Sequence, residues 1–138
     1  MAQAVYVLDA SIAVEWFVQY HKSEGPLKVL QEFLEEPRKF AVPELFFFEL
    51  THVLGKIKIQ YPSIKYELLK QIIKSPLNRF SMSSELLDEI PIFQKLGLSG
   101  YDSSYVALAK SLSGVWLTLD KKAHKTIQHL GLSQLLPG

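Results

Sequence analysis

Val5-Tyr6-Val7-Leu8-Asp9 is the stretch that decides the fold, because a run of apolar, β-forming residues ends abruptly at a carboxylate. A short, continuous apolar run of this kind indicates a strand that is buried on both faces. Val115-Trp116-Leu117-Thr118-Leu119 repeats the pattern late in the chain and ends at Asp120. The two runs predict a buried sheet in which an acidic side chain follows each of two strands.

The sequence between these two runs alternates between strand and helix patterns. Further strands are expected at Phe40–Val42 and Arg79–Met82. Helices are expected at Ser11–Val18, Pro26–Glu35, Pro43 to about Lys58, Pro62–Ile73, Ser84 to about Lys95, Tyr101–Ser111 and Lys121–Leu130. A kink or break is expected at Pro91, and a C-cap at Gly131. Short apolar strands that alternate with helices predict an α/β fold with a parallel sheet covered on both faces.

The composition suits one domain that folds without covalent staples. The chain has 138 residues, 48% of them hydrophobic, and a formal net charge of +1. Single domains most often have about 100–150 residues, so we expect one domain over residues 1–138. The absence of cysteine excludes disulfides, thiolate zinc sites and a cysteine nucleophile. The balanced charge excludes a generally basic nucleic-acid coat but allows a local basic patch.

The first apolar run does not have the pattern of a targeting or membrane segment. Asp9 and Glu15 interrupt it, and no Lys or Arg precedes it. A membrane-spanning helix needs about 20 apolar residues, and a signal peptide begins with positive charge. We therefore expect a soluble, cytoplasmic protein that has no contact with a membrane.

Ten of the 14 acidic residues are interpreted as surface acids, and the other four, in apolar surroundings, are Asp9, Glu49, Asp102 and Asp120. Carboxylates are rarely buried without a partner, because removing the charge from water costs several kcal/mol. Either each acid has its own hydrogen-bond donor, or the four share a cation. Ligands of α/β sheets bind beyond the carboxyl ends of the strands, which is where Asp9 and Asp120 are expected.

A local role remains open for each of these acids. Asp9 and Asp120 have the position of helix N-caps, and Asp102 follows a serine at capping-box spacing. Glu49 has no cap to make and no Lys or Arg three or four residues away, but it could pair with His52. The four local roles are separate explanations, whereas a shared cation would explain all four acids together.

A shared site would suit a hard divalent cation such as Mg²⁺, which prefers oxygen ligands. Such an ion could activate a water and neutralise the charge that develops on a phosphodiester under attack. Ser11, Ser103 and Thr118 each lie within two residues of one of the acids. Their hydroxyls could orient a water or a phosphate oxygen, or could simply cap helices and turns.

In this order and with these flanks, the four acids resemble the motifs of the PIN domain family. Asp9 lies in Val-Leu-Asp-Ala-Ser, Glu49 in Glu-Leu-Thr-His-Val-Leu, Asp102 in Tyr-Asp-Ser-Ser-Tyr-Val-Ala-Leu-Ala, and Asp120 in Leu-Thr-Leu-Asp-Lys-Lys. The resemblance extends from residue 5 to about residue 130. It is greatest to VapC-type ribonuclease toxins of toxin–antitoxin pairs.

The resemblance implies a three-layer α/β sandwich with a short parallel sheet of about four to five strands and about seven helices. It implies a Mg²⁺- or Mn²⁺-dependent endoribonuclease, usually a homodimer, that is paired with a small antitoxin whose tail occupies the acidic groove. The four acids would then be the catalytic and metal-binding residues, and Ser11 matches a hydroxyl often found after the first of them. Some relatives carry a further acid after the fourth, whereas Lys121 and Lys122 follow Asp120 here. The number of metal ions is therefore left open.

An RNA substrate would need positive charge near the acidic site, because phosphate contacts supply most sequence-independent affinity. Candidate phosphate contacts are the lysines on the two helices that carry Glu49 and follow Asp120. They are Lys56, Lys58, Lys121, Lys122 and Lys125. The alternative explanation for these lysines is an ordinary solvated helix face.

Other classes of protein fit the sequence less well. A haloacid-dehalogenase-type phosphatase needs a second Asp two positions after the first, where this chain has Ser11. A receiver domain needs an acidic neighbour for Asp9 and a central strand that ends in a lone Asp, and the sequence has neither. The seven glycines form no G-x-G-x-x-G or G-x-x-x-x-G-K phosphate loop. The remaining alternative is a PIN-like module that binds RNA or protein with little or no turnover.

Overall fold

A parallel sheet forms the central layer. The computed structural model describes residues 5–18 and 24–137, and within them five strands pair in the order β3-β2-β1-β4-β5. The strands are β1 (Tyr6–Leu8), β2 (Phe40–Pro43), β3 (Asn78–Phe80), β4 (Val115–Thr118) and β5 (Ser133–Leu135). Every pairing is parallel, so the carboxyl ends of the strands lie at one edge of the sheet. β1 and β4, the two strands that precede acids, are neighbours at the centre.

Seven α-helices accompany the sheet within the described residues. They are α1 (Ala10–Glu15), α2 (Glu24–Glu35), α3 (Leu45–Gln60), α4 (Glu67–Lys74), α5 (Ser84–Lys95), α6 (Gly100–Ser111) and α7 (Lys121–Ile127). Helix α6 packs on β1, β2 and β4, and α1 packs on α2 and α3. The predicted α/β fold with a parallel sheet is thereby confirmed. No helix in the described part of the chain is both long and apolar enough to cross a membrane.

The two central strands and α6 form the middle of the core. Val7, Leu8, Trp116 and Leu117 are buried, and α6 contributes an uninterrupted buried run over Tyr105–Ala109. Each large apolar side chain that is fully buried stabilises the fold by about 1.5–3 kcal/mol. This packing fixes the ends of β1 and β4 relative to the first turn of α6. Three of the four candidate acids lie at these three places.

Strand β5 is absent from the sequence-based prediction. Ser133–Leu135 is a short, half-exposed segment at the edge of the sheet, and it lacks the apolar run that marks the buried strands. It becomes a strand by pairing with β4, where Ser133 lies opposite Trp116. Pairing with a buried neighbour is a tertiary effect, so local sequence gives little indication of such an edge strand.

Pro43 ends β2, so its predicted place in the first turn of a helix is wrong. Pro43 lies opposite Phe80 of β3, and the next backbone N–H, that of Glu44, donates to the Phe80 carbonyl. Proline is tolerated at such a position because only its own N–H is missing from the ladder. Helix α3 begins two residues later, at Leu45.

The helix expected from Pro62 begins instead at Glu67. The intervening residues form a loop, and the ammonium group of Lys58 donates to the carbonyls of Pro62 and Ile64. Lys58 also lies over the ring of Tyr66, 5.0 Å from its centroid. A side chain from the preceding helix thus satisfies carbonyls that a helix would otherwise have bonded.

The expected break at Pro91 is also wrong, because α5 continues from Ser84 to Lys95. Pro91 is exposed, whereas the packed side of α5 is carried by Leu86 and Phe93, so the proline ring does not disturb the core. The predicted C-cap at Gly131 is confirmed by its positive φ of 69°. A short 3₁₀ turn lies between α7 and this glycine.

Candidate active site

Asp9 and Asp120 follow the carboxyl ends of two adjacent strands, β1 and β4. β1 and β4 pair in register, with Leu8 opposite Leu117. Asp9 is the N-cap of α1, and its Oδ1 accepts a hydrogen bond of 3.1 Å from the Ser11 amide. Asp120 is the N-cap of α7, and its Oδ1 accepts one of 3.0 Å from the amide of residue 123. Both capping roles are confirmed. In each carboxylate the capping oxygen is Oδ1, and Oδ2 has no part in the cap.

Glu49 and Asp102 reach the same region from two helices. Glu49 lies in the second turn of α3, and its Oε1 accepts a 2.8 Å hydrogen bond from the hydroxyl of Tyr105. The donor is therefore Tyr105, where the sequence offered His52. Asp102 lies in the first turn of α6, and its amide donates to the Ser99 hydroxyl at 3.0 Å. The predicted capping interaction is confirmed, and it holds the backbone of Asp102 in place.

All four acids line one open cavity of about 560 Å³ at the carboxyl edge of the sheet. The cavity walls combine acids with a hydroxyl and small or aliphatic side chains. The other lining residues are Ala10, Ser11, Val14, Glu15, Val53 and Leu119. Among these described lining residues there is no Lys, Arg or His. As far as residues 5–18 and 24–137 show, the cavity is therefore an acidic site without a cationic side chain in its lining.

The pKa values of the acids reflect the excess of negative charge in the cavity. Burial raises the pKa of Asp9 from its ordinary value of 3.8 to about 7, and the charges of Asp102 and Glu49 add to the increase. The Ser11 amide acts in the opposite direction but does not cancel it. Burial also raises the pKa of Asp102, followed by the charges of Asp120 and Glu49. Carboxylates that repel one another in this way are stabilised by a bound cation.

The four carboxylates surround the cavity without forming a closed set of ligands. Across residues 5–18 and 24–137, no three acidic or histidine side chains lie close enough together to hold one ion. The expectation that the quartet meets within reach of one ion is therefore wrong for this structure. The physical reason lies in the local donors: Ser11, Tyr105 and the α7 amide each hold one acid, and mutual repulsion separates the charges.

The donor set still fits a hard divalent cation by its chemistry. It consists of carboxylate and hydroxyl oxygens, the ligands that Mg²⁺ and Mn²⁺ prefer. Uncompensated negative charge, expressed in the raised pKa of Asp9, is what such an ion would neutralise.

The three candidate hydroxyls have three different surroundings. Ser11 is exposed and lines the cavity. Thr118 is fully buried, and its Oγ1 accepts a 3.0 Å hydrogen bond from the Asp120 amide, so it supports the turn between β4 and α7. Ser103 is fully buried and has no hydrogen-bond partner among the described residues. Of the three, only Ser11 is found at the cavity surface.

The five candidate lysines lie outside the cavity lining. The ammonium group of Lys58 donates to the carbonyls of Pro62 and Ile64 instead. Lys56 is exposed on α3, seven residues after Glu49 and thus on the same side of the helix. The other three are exposed on α7, and two of them occupy its first two positions. These three are Lys121, Lys122 and Lys125. Positive charge at a helix N-terminus opposes the helix dipole, so helix stability does not explain the first two.

Two residues of the site, Tyr105 and Glu15, were not predicted from the sequence. Tyr105 lies three residues after Asp102, hence on the same side of α6, and that spacing was the available signal. Glu15 lies four residues after Ser11 on α1 and lines the same cavity, although it reads as an ordinary surface acid. Its spacing from Ser11 would have placed both side chains on one helix face.

Comparison with known proteins gives a family match over most of the chain. The model of the family described as PIN domain matches residues 6–128. No curated protein matches the sequence as a relative. Three solved structures have a similar fold over nearly the whole chain, each at an identity too low to show more than the fold.

The first of these structures is a toxin–antitoxin complex from Klebsiella pneumoniae, with 16% identity, a TM-score of 0.66 and coverage of 96% of both chains. The protein PAE2754 from Pyrobaculum aerophilum has 20% identity and a TM-score of 0.61, over 89% of this chain and 79% of that one. FitAcB from Neisseria gonorrhoeae has 13% identity and a TM-score of 0.59, over 90% of this chain and 94% of that one.

Proposed function

This chain belongs to the PIN domain family, and from that premise we propose that it is a Mg²⁺- or Mn²⁺-dependent endoribonuclease, the toxin of a toxin–antitoxin pair. The proposal covers residues 1–138 as a single nuclease domain acting in the cytoplasm. One observation carries it: acids from four separate elements, Asp9, Glu49, Asp102 and Asp120, line one cavity that has no cationic side chain in its described lining. Family membership supports nuclease chemistry, and RNA is the substrate class that we propose.

The four acids would hold the cation, and each is prepared for that role by a hydrogen bond elsewhere. Asp9 and Asp120 use Oδ1 as a helix cap, so Oδ2 is the oxygen that they would offer. Glu49 uses Oε1 for Tyr105 and would offer Oε2. Asp102 is held by Ser99, which accepts from its backbone amide and also hydrogen-bonds to its carboxylate, and it lines the cavity with the other acids. When bound, the ion would polarise the scissile phosphodiester and lower the pKa of a water.

The chain's other residues would bind and orient the RNA. The Ser11 hydroxyl is exposed at the cavity wall, where it can donate to a phosphate oxygen. Lys121, Lys122 and Lys125 follow Asp120 on α7, so an RNA strand that crosses the cavity would meet them. Lys56 would extend the contact along α3. An acidic centre flanked by basic groups is the arrangement that cleavage of a polyanion requires.

Two protein partners belong to the proposal. A small antitoxin is supported by the solved toxin–antitoxin complex with the same fold, and the acidic cavity would accept a basic segment of such a partner. A second copy of this chain is the other proposed partner. Phe48 and Ile59 are 73% and 85% exposed on α3. They lie eleven residues apart, on one side of the helix, and provide apolar area for a dimer.

Cleavage of mixed cellular RNA by the purified protein tests the proposal. We expect cleavage in Mg²⁺ or Mn²⁺ and none with a chelator. Asp9→Asn and Asp102→Asn should each lower the rate by about 100-fold or more, since an acid that holds the ion supports several kcal/mol of transition-state stabilisation. Asp88→Asn is the matched control, because Asp88 is exposed on α5 and does not line the cavity. Equal cleavage by Asp9→Asn and the parent would refute the assigned roles.

The antitoxin is tested separately. Co-expression with the product of the adjacent small gene should yield a complex in which cleavage is suppressed. An active nuclease that no such product inhibits would remove the toxin role and leave the nuclease role standing.

A second candidate function is a PIN-like module that binds RNA or protein with little turnover. The observation that favours it is the absence, in the described residues, of three carboxylates close enough to share an ion. Metal-independent RNA binding, together with no cleavage in either metal ion, would select this alternative.

A further inference from the structure

The hydroxyl of Tyr105 is the most unusual polar group near the cavity. Tyr105 is 1% exposed and is the first residue of the buried run of α6. Its ring stacks on Trp116 of β4, with centroids 6.4 Å apart and an interplanar angle of 19°. Phenylalanine would supply the same ring packing without a polar atom to desolvate. The hydroxyl therefore needs an explanation that the core does not provide.

Its contacts connect three elements of the site. The hydroxyl donates to Oε1 of Glu49 on α3 at 2.8 Å. The backbone amide of Ala10, at the start of α1 next to Asp9, lies close enough to the phenol oxygen to interact with it. Tyr105 itself stands one helical turn after Asp102 on α6. One hydroxyl thus joins the helix that carries Glu49 to the strand end that carries Asp9.

The protonation state of this group follows from ordinary phenol chemistry. The usual pKa of a tyrosine hydroxyl is about 10, so the hydroxyl is protonated near neutral pH and acts as a donor. Burial acts in the same direction because it raises the pKa of Tyr105, and the charges of Asp9 and Glu49 raise it further. A phenol has one proton to donate, and the geometry gives that proton to Glu49.

A neutral donor suits this position better than a charged one. Lys or Arg would also hold Glu49, but its charge would compete with a divalent cation for the acidic cavity. The phenol fixes the carboxylate without neutralising it. It leaves Oε2 of Glu49 as the free oxygen and restricts the rotamers of a long side chain, which lowers the entropy cost of binding.

We infer that Tyr105 is a positioning residue, which orients the Glu49 carboxylate toward the cation through its hydroxyl. The inference rests on the proposed function, since it assigns a role at the same site. Tyr105 itself touches neither the cation nor the RNA in this role. It acts through Glu49.

Binding of Mn²⁺, followed by the electron paramagnetic resonance signal of the free ion, tests the inference without any RNA. Tyr105→Phe keeps the ring and removes the hydroxyl, and we expect it to weaken Mn²⁺ binding by about 10-fold, as loss of a partner behind a metal ligand usually does. Tyr101→Phe is the matched control on the same helix, where the ring is 65% exposed. That control should change the affinity by less than about twofold.

A double-mutant cycle with Glu49→Gln separates positioning from packing. If Tyr105 acts through Glu49, Tyr105→Phe should weaken binding in the parent and change it by less than about twofold when Glu49→Gln is already present. An equal loss in both backgrounds, or no loss in the parent, overturns the inference while Mn²⁺ binding by the parent still supports the metal site. If the parent binds no Mn²⁺, the inference and the proposed metal site are both overturned. Measurement of the parent alone shows this.

A spectroscopic measurement covers the case in which Tyr105→Phe does not fold. Addition of Mn²⁺ to the parent should perturb the near-ultraviolet absorbance of a buried tyrosine through its bond to Glu49. The perturbation should persist in Tyr101→Phe and disappear in Glu49→Gln. Its persistence in Glu49→Gln, or its absence from the parent, would count against the inference.

Discussion

Asp9 and Asp120 share one local structure and differ in almost everything around it. Each follows a buried central strand, has an extended backbone, and caps the next helix with Oδ1. Asp9 is half-buried, and burial raises its pKa to about 7, whereas Asp120 is exposed. A strand, a capping aspartate and a helix are therefore not enough to define the chemistry of the carboxylate. The tertiary surroundings decide it.

The helices that follow the two acids differ in their packing and in their charge. Ala10–Glu15 carries no lysine and packs against α2 and α3, so the first acid lies inside the wall of the cavity. Lys121–Ile127 begins with two exposed lysines, so the other acid lies at the solvent rim next to positive charge. Under the proposed function, this difference predicts cation binding mainly at the first end and contact with RNA mainly at the second. Four experiments test that prediction.

The largest expected effect is stabilisation by Mn²⁺. A ligand at about 1,000 times its Kd stabilises the folded state by about 4 kcal/mol, and we expect a gain of this size in the parent at pH 8. Asp9→Asn should lose most of it, while Asp120→Asn should retain a clear part. Thermal unfolding with and without Mn²⁺ measures both. An identical gain in the two variants would show that the inner and outer acids contribute equally.

The next effect is the dependence of metal-free stability on pH. Because the folded pKa of Asp9 lies at about 7, above its ordinary value of 3.8, the folded state holds the proton more tightly. Stability from this group is therefore fully present below pH 4 and is lost as the pH rises to about 7. Asp9→Asn removes the loss and should raise the free energy of unfolding at pH 8 by about 2–4 kcal/mol.

Asp120→Asn is the control for this measurement, since asparagine caps a helix about as well as aspartate. Because Asp120 is exposed, we expect this variant to change the metal-free stability at pH 8 by much less than Asp9→Asn does. Urea unfolding at several pH values gives both curves. A metal-free parent whose stability is flat between pH 4 and pH 7 would contradict the buried, uncompensated charge of Asp9.

The sequence predicted the local structure at the two strand ends, but it did not predict the tertiary surroundings of the two acids. Strands β1 and β4, the caps at Asp9 and Asp120, and the Ser99 cap before Asp102 follow from patterns a few residues long. Such patterns depend on local hydrogen bonding and burial, which neighbouring residues largely determine. These parts of the fold could therefore be predicted.

The remaining features depend on contacts between distant segments. Strand β5 exists because β4 offers it an edge, and the loop at Pro62 exists because Lys58 reaches its carbonyls. The bond between Glu49 and Tyr105 joins residues 56 positions apart. The acids were expected to meet at one ion, and the sequence could not reveal that Tyr105 would hold Glu49 instead.

Substitution of the lysines at the outer end should have an intermediate effect. We expect Lys121→Gln with Lys122→Gln to weaken RNA binding by about 10-fold and to reduce the slope of log affinity against log salt by about 1.4, which corresponds to two phosphate contacts on a single strand. Lys70→Gln with Lys74→Gln on α4 removes the same charge from exposed positions away from the cavity lining. The binding should be measured with catalytically impaired Asp9→Asn protein.

The stability of these lysine variants provides an independent check. Removing two positive charges from the N-terminus of α7 relieves an unfavourable interaction with the helix dipole, so the variant should be slightly more stable than the parent. Weaker RNA binding in a more stable protein cannot be attributed to unfolding. Equal losses of affinity in the α7 and α4 variants would reduce the lysine contribution to a general effect of net charge.

The smallest effect comes from removing the helix caps. The change in the free energy of unfolding should reverse its sign between pH 4 and pH 8 for Asp9→Ala but not for Asp120→Ala. Asp120→Ala deletes a cap and should cost about 1 kcal/mol at both pH 4 and pH 8. Asp9→Ala deletes an equivalent cap and should cost about the same at pH 4, where the penalty for its buried charge is almost absent. At pH 8 the same variant also removes that penalty, so it should be more stable than the metal-free parent. Urea unfolding of the two variants at both pH values is decisive, because a cost that stays the same for Asp9→Ala would mean that the two carboxylates have the same surroundings after all.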